Sequence, residues 1–475
     1  MAETLTPDIC VIGGGSGGLS VAAAAAAFGV PVVLIEKDKM GGDCLNYGCV
    51  PSKALIAAAK RAALANTAVA FGVKAQKVAA DFDLVHKHVH EVIAAIAPND
   101  SAERFTALGV RVIKGAARFT DPETVMVGSS IEIKARRFVI ASGSQPSAPP
   151  IEGLDQVPYL TNETVFDLTA RPKHLVVIGA GPIGLELAQA FRRLGAEVTV
   201  LEAAQPLTKD DPECAAIVLD QLAREGVTIR SGVKIARVKS SRAKVRVIVA
   251  TADGKETIEG SHLLVATGRK PNIAGLDLES AGVQYERRGI PVDGRLRTTN
   301  KKIYAIGDVI DGLQSTHVAN YHAGLVIRHA LFRLPVRVNE NIIPWVTFTD
   351  PELAQVGMTE VRARERYGAI RVLRWPYHEN DRAQTERETH GHIKVITNKR
   401  GKILGATIVG AQAGELIATW GLAVSQGLNV RAVASMIVPY PTLAEIGKRS
   451  AINYFAPSLT SPLVRRIIAL LRSLG

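Results

Sequence analysis

One pattern occurs twice in this chain and narrows its possible folds more than any other feature. It is an apolar strand, a glycine-rich turn, a helix, a second strand and a terminal acid. In the first copy Asp8–Ile12 reads as a strand, the turn carries Gly13, Gly15 and Gly18, Gly17–Phe28 reads as a helix, and Pro31–Glu36 as a strand ending in an acid. In the second, Leu175–Ile178 leads into Gly179-Ala180-Gly181-Pro182-Ile183-Gly184, then a helix, then Glu197–Leu201 ending at Glu202. The glycines let backbone amides approach a pyrophosphate at the positive helix end, and the acid accepts hydrogen bonds from a ribose. A lone GxGxxG is a weak signal, but strand, turn, helix, strand and acid together are a strong one. Two such units imply two nucleotide cofactors. No arginine follows Glu202 closely enough to suggest a 2′-phosphate pocket, so NADH is expected over NADPH.

Just beyond the first unit stands Gly41-Gly42-Asp43-Cys44-Leu45-Asn46-Tyr47-Gly48-Cys49-Val50-Pro51-Ser52-Lys53. Two thiols beside a nucleotide cofactor, with a lysine four residues on, suggest electrons moving between cofactor and disulfide. Residues five apart in a regular helix are about 7.5 Å apart along the axis, beyond comfortable disulfide reach. A bridge between Cys44 and Cys49 therefore requires a distorted turn, which Gly48 permits. Pro51 suits the first turn of a helix and places Cys49 near a positive terminus that favours a thiolate. The competing reading is two buried, unconnected cysteines.

The 475 residues suffice for roughly three domains, and at 47% hydrophobic the chain can fill large cores. Four cysteines are too few for a disulfide-stapled framework; Cys10, in a strand, and Cys214, in a helix, read as packing residues. Lys and Arg number 57 against 45 Asp and Glu, a net charge of +12. That balance suits a nucleic-acid or membrane partner, but no basic-aromatic cluster or nucleic-acid motif accompanies it, and anionic cofactors and substrates explain part of it equally well. Leu19–Ile35 is apolar except for Ser20. Gly29 and Pro31 should divide it into helix and strand rather than let it span a membrane. No basic n-region or cleavage site precedes it, so the cytoplasm is the expected compartment.

Short strands follow each nucleotide unit, near Gly115–Ile133 and Val233–Ile258, and each closes on a strand and a glycine turn. These are Val139-Ile140-Ala141-Ser142-Gly143-Ser144 and Leu264-Val265-Ala266-Thr267-Gly268-Arg269. The expected fold is α/β, with two Rossmann-like dinucleotide-binding domains, the second inserted in the first, and a C-terminal α+β domain. The boundaries read as 1–147 with 272–340 for the first, 148–271 for the second and 341–475 for the third.

These residues resemble the FAD-dependent pyridine nucleotide–disulfide oxidoreductases, of the glutathione reductase, lipoamide dehydrogenase and mercuric reductase type. Both glycine units, the CxxxxC box, Ala266-Thr267-Gly268-Arg269-Lys270-Pro271-Asn272, Gly307-Asp308 and Phe348-Thr349-Asp350-Pro351-Glu352 stand in family order from Asp8 to about Tyr454. The resemblance implies FAD and NAD(P)H as cofactors, with Gly13, Gly15, Gly18, Glu36, Ser142, Gly143 and Asp308 on the flavin side and Gly179, Gly181, Gly184, Glu202 and Gly268 among the cofactor-binding positions. It implies that Cys49 faces the flavin, that Cys44 meets substrate, and that Lys53 and Glu186 pair near flavin N5. It also implies a homodimer in which each third domain completes the other protomer's site. No metal cofactor is expected.

Three departures bear on substrate. The family usually places His-Pro-Thr-x-x-Glu near the C-terminus, where this chain reads Tyr440-Pro441-Thr442-Leu443-Ala444-Glu445. A phenol titrates near about 10 and imidazole near about 6.5, so Tyr440 is a poor base and rapid dihydrolipoamide oxidation is not expected. Mercuric reductases resemble this chain in having tyrosine there, but they end in a vicinal cysteine pair, and this sequence ends Leu471-Arg472-Ser473-Leu474-Gly475. Asp43 stands where threonine is common, and its carboxylate should oppose a thiolate on Cys44.

Among lesser signals, His86 and His90 share a helix face, with His88 beside them, and read as a solvated face rather than a metal site. The tail Pro462–Leu474 alternates Leu463, Ile467, Leu470, Leu471 and Leu474 with Arg465, Arg466 and Arg472. It reads either as dimer packing or as a basic amphipathic helix at the inner face of a membrane. The expected reaction runs from NADH through FAD to the Cys44–Cys49 disulfide. From there electrons pass to an external disulfide or thiol acceptor as in lipoamide dehydrogenase, or to a soft metal ion as in mercuric reductase. A non-catalytic flavin-binding subunit is the reading from a different class, against which the intact cysteine box argues.

Overall fold

The structure is a computed structural model that describes residues 3–74, 79–241, 244–251, 254–459 and 461–474. The chain divides into two compact units. The first comprises Met1–Gly179, Ala190–Leu201 and Val233–Val338, and the second Ala180–Gln189, Glu202–Gly232 and Asn339–Gly475.

The first unit contains a five-stranded parallel sheet in the order Ile303–Ala305, Arg137–Ile140, Ile9–Ile12, Val32–Glu36, Arg111–Lys114. Parallel neighbours need a crossover, and the helix Ser16–Ala27 supplies the one between Ile9–Ile12 and Val32–Glu36. All residues of these two strands are buried, as continuous apolar runs in a sheet covered on both faces should be. Cys10 is one of them, packed in the core as expected. Successive strands run one way from Ile9–Ile12 and then the other, so the Gly13 turn lies at the switch point of the sheet, where α/β folds bind ligands.

The apolar stretch Leu19–Ile35 splits as its breakers require. The helix ends at Ala27, Gly29 turns at φ +70°, and the strand begins at Val32. Gly42–Phe71 is the one stretch among the described residues long and apolar enough in composition to cross a membrane. In the fold it is interrupted at Tyr47–Gly48, and its second helix, Cys49–Thr67, buries Pro51, Ala54, Leu55, Ala59 and Ala62.

The second nucleotide pattern repeats the arrangement. His174–Ile178 runs parallel to Glu197–Leu201 on one side and His262–Val265 on the other. An antiparallel meander of Lys234–Ser241, Lys244–Thr251 and Gly254–Gly260 belongs to the same unit. Ser144–Pro146 pairs antiparallel with Arg269–Pro271, joining the two strand-to-glycine turns that close the nucleotide units.

The second unit is built on five antiparallel strands in the order Pro344–Thr347, Glu352–Gly357, Ile403–Gly410, His392–Asn398, Ile370–Pro376. Trp420 and Ile417 from the helix Ala413–Ser425 share its core with Ile446 from Glu445–Asn453. Lys394, only 4% exposed, meets Asp211 at 2.7 Å, Glu360 at 2.8 Å and Glu213 at 3.0 Å. Breaking such a buried cluster by deleting one charge costs about 3–5 kcal/mol. Cys214 is buried beside it, its Sγ 3.6 Å from His392 Nε2.

Candidate active site

Cys44 lies in the short helix Gly42–Asn46, and Cys49 opens the longer helix Cys49–Thr67. The two helices are separated by Tyr47 and by Gly48, the break the spacing required. Both cysteines are free thiols, Cys44 half-buried and Cys49 exposed. They are not equivalent. A hydrogen bond from Cys44, another from Thr316 and the charge of Lys53, one turn along the helix, hold Cys49 down at about 6 against the opposing effect of the protein packed around its sulfur, exposed though the residue is at one edge. The bond to Cys49 and burial push Cys44 far upward. A full negative charge on one sulfur of a touching pair suppresses the other. Asp43 acts on Cys44 in the expected direction, behind those two causes.

Asp43 itself is not an isolated charge. Its Oδ1 accepts from Asn162 Nδ2 at 3.2 Å and lies 3.1 Å from Arg269, whose side chain is 12% exposed. Arg269 also donates to Ser144 Oγ at 2.7 Å and to the Ser144 carbonyl at 2.8 Å, and Ser144 Oγ donates to Asp308 at 2.9 Å. Burial raises the Asp308 carboxyl, and the Ser144 bond and Arg269 partly offset it. Beside it the Gly307 amide donates to buried His322 Nδ1 at 3.3 Å, and burial lowers this imidazole to about 4, keeping it a neutral acceptor.

The two nucleotide turns match bond for bond. Glu36 accepts from the Gly14 amide at 2.5 Å and from the Asp38 amide at 2.6 Å. Glu202 accepts from the Ala180 amide at 2.7 Å and from the Ala204 amide at 2.9 Å. Gly13 (φ +112°) and Gly179 (φ +109°) are the residues that make these turns possible. A Cβ on Gly13 would stand 2.3 Å from the Ala141 carbonyl, and one on Gly179 2.5 Å from that of Ala266. Gly15 caps the helix that contains Gly18 without a side-chain hydrogen bond, leaving its first-turn amides to an anion. Gly184 lies within the helix Pro182–Arg193, just after Gly181. This backbone-lined turn at a helix start, with a buried acid behind it, fits the pyrophosphate and ribose of a dinucleotide.

Ser142 and Gly143 close the first site. Ser142 Oγ donates to the Asn272 carbonyl at 2.7 Å, and the Gly143 carbonyl accepts the Asn272 amide at 2.9 Å. The Gly268 carbonyl accepts the Ser147 amide at 3.0 Å. In the second unit Glu186, 5% exposed, accepts the Phe348 amide at 2.8 Å. Tyr440 is 70% exposed and its phenol donates to Asp381 at 2.8 Å; that bond raises the phenol above its ordinary value. Glu445 begins the helix Glu445–Asn453 and adds to the same shift. His86 and His90 rings lie 4.2 Å apart, and no group of three or more His, Cys, Asp or Glu suited to a metal occurs among the described residues.

Residues 7–323 match the family model described as pyridine nucleotide-disulphide oxidoreductase, and residues 343–451 match that family's dimerisation domain. The chain belongs to the pyridine nucleotide-disulphide oxidoreductases. Like them it is an FAD-dependent NAD(P)H disulfide oxidoreductase. It is 37% identical to a mercuric reductase of Bacillus cereus over 94% of this chain and 71% of that one. It is 35% identical to a dihydrolipoyl dehydrogenase of Geobacillus stearothermophilus over 94% and 95% of the two chains. Among solved structures, the Cu(II) complex of the HOCl-induced flavoprotein disulfide reductase RclA from Escherichia coli superposes with a TM-score of 0.85 at 29% identity, covering 97% of this chain and all of that one.

Proposed function

We propose that this oxidoreductase passes electrons from NADH through FAD and the Cys44–Cys49 pair to a soft metal ion, with small disulfides as a second acceptor class. We assign residues 1–147 and 272–340 to FAD, 148–271 to the nicotinamide nucleotide and 341–475 to a third domain that carries the homodimer interface. A cytoplasmic setting, where free thiols persist, suits the unpaired core cysteines Cys10 and Cys214.

Bound FAD supplies the two-electron relay between the nicotinamide and the sulfur pair. The residues do the rest. Two electrons and one proton open the Cys44–Cys49 disulfide, leaving the charge on Cys49, where Thr316, Lys53 and a helix terminus stabilise it, and the proton on Cys44. A thiophilic cation displaces that proton and takes both sulfurs, because thiolates favour soft metals; the pair gives the metal its two electrons and closes again to the Cys44–Cys49 disulfide. With Hg(II) the net reaction is NADH + Hg(II) → NAD⁺ + H⁺ + Hg(0); with Cu(II), two ions take one electron each.

The choice of acceptor rests on one observation, the Tyr440 phenol donating to Asp381 at 2.8 Å. A hydroxyl committed as donor and held protonated does not take a proton from a substrate thiol. A metal ion needs no such base. The similarity to a mercuric reductase and to a Cu(II)-complexed reductase supports the same class. Steady-state NADH oxidation against Hg(II), Cu(II), lipoamide, glutathione disulfide and quinones tests the reading. The metal ions should be turned over at least about tenfold faster than lipoamide, and Cys44→Ser should abolish that activity. Lipoamide as the best acceptor would overturn it.

A further inference from the structure

The chain beyond Glu445 carries none of the residues assigned to the electron path. From Ile446 onward it carries Lys448, Arg449, Arg465, Arg466 and Arg472 and no Asp or Glu. Within this stretch Pro462–Arg472 forms an 11-residue helix with no buried residue. Leu463 is 67% exposed, Ile467 47% and Leu471 58%.

At about 100° per residue, Leu463, Val464, Ile467, Ile468, Leu470 and Leu471 fall in one arc of about 160°. Arg465 and Arg472 border it on one side and Arg466 on the other. Arginines so placed can run their apolar stems along the edge of the buried face and keep the guanidinium at headgroup height. At about 1.5 Å per residue the helix is roughly half as long as a bilayer core is thick, so it would lie in the interface rather than span.

A second copy of the same helix is a poor occupant for this face. Two-fold pairing would bring two sets of three arginines together with no acid of the tail to oppose them. The match to the family's dimerisation domain also ends at residue 451, ahead of the helix. An anionic lipid surface matches both the apolar arc and the uncompensated positive charge. We infer that Pro462–Arg472 is an in-plane membrane helix that docks this oxidoreductase on anionic bilayers. The inference stands whichever acceptor the cysteine pair serves.

The test is sedimentation of the full-length, flavin-loaded protein with vesicles of phosphatidylglycerol and phosphatidylcholine, against vesicles of phosphatidylcholine alone. Wild type should bind the anionic vesicles, less so as salt rises, and ignore the neutral ones. Each arginine near such a surface is worth about fivefold in affinity, so replacing Arg465, Arg466 and Arg472 by Gln should weaken binding by roughly a hundredfold. The double variant Ile467→Asp, Leu471→Asp should lose binding while flavin content and dimer mass stay as in wild type. A chain ending at Ser461 should behave like the double variant. No binding to anionic vesicles at low salt, equal binding to both kinds, or binding unaffected by the two aspartates would overturn the inference. So would dissociation of the dimer by either change, which would assign the helix to a second copy of the chain.

Discussion

Cys49 Sγ lies 3.4 Å from Thr316 Oγ1, and each of these residues is the first of a helix, Cys49–Thr67 and Thr316–Ala330. Two positive helix ends therefore meet at one sulfur. With Cys44 donating as well, the pair is built to hold its negative charge on Cys49.

The thiolate of the reduced enzyme should therefore titrate with a midpoint near 6. Because Cys49 is a lowered acid, the thiolate is present above that pH and is lost as pH falls through it. Thr316→Val should move the midpoint upward by about one unit, the worth of one hydrogen bond to a charged group. The long-wavelength absorbance of the reduced holoenzyme, followed against pH, reads it. An unchanged midpoint would remove Thr316 from the account.

The two cysteines should be separable by the same absorbance. Cys44→Ser should show the band without reduction, since Cys49 is then a free thiolate. Cys49→Ser should not show it under any condition. The opposite pattern would reverse the assigned roles.

Some of this site was legible in the sequence, and the reason is distance along the chain. Glu36 and Glu202 each bind an amide 22 residues back, within one strand–helix–strand unit. The break at Gly48 and the position of Cys49 at a helix start follow from the local spacing of Cys44, Gly48 and Pro51. Thr316 does not, because it stands 267 residues from Cys49 and reaches it only through the tertiary fold. Asp381, 59 residues before Tyr440, is hidden from the sequence for the same reason. In the sequence Arg269 is one letter of a motif, and nothing in its spacing shows that it holds Asp43 and Ser144 together.

Arg269 ties the cysteine loop to Asp308, so its loss should be felt in both places. Arg269→Ala leaves Asp43 and Asp308 without their shared cation; with Asp43 38% exposed, the cost should fall below that of a fully buried pair, at about 2–3 kcal/mol. Thermal unfolding and flavin retention on dilution should both fall. A variant as stable as wild type would mean that the cluster is ornamental.

NADH should exceed NADPH in kcat/KM by roughly tenfold to a hundredfold, since a 2′-phosphate would meet the Glu202 carboxylate in a partly desolvated site. Glu202→Ala should narrow the ratio. The Glu202 amide donates to the Arg230 carbonyl at 2.8 Å, which brings an arginine to the neighbouring backbone 28 positions on in sequence. Equal use of the two nucleotides would shift the assignment of ribose reader away from Glu202 and toward Arg230.

In the proposed function the acceptor needs no base, because Tyr440 is held as a donor by Asp381. The most direct measurement is dihydrolipoamide–NAD⁺ activity of wild type and Tyr440→His, beside Hg(II)-dependent NADH oxidation by the same two proteins. General-base assistance is worth about 10²–10⁴ in rate. Wild type should therefore oxidise dihydrolipoamide poorly, and the histidine should raise that rate by at least about tenfold without improving the Hg(II) reaction. Robust dihydrolipoamide turnover by wild type, or a histidine variant no better than it, would contradict the account.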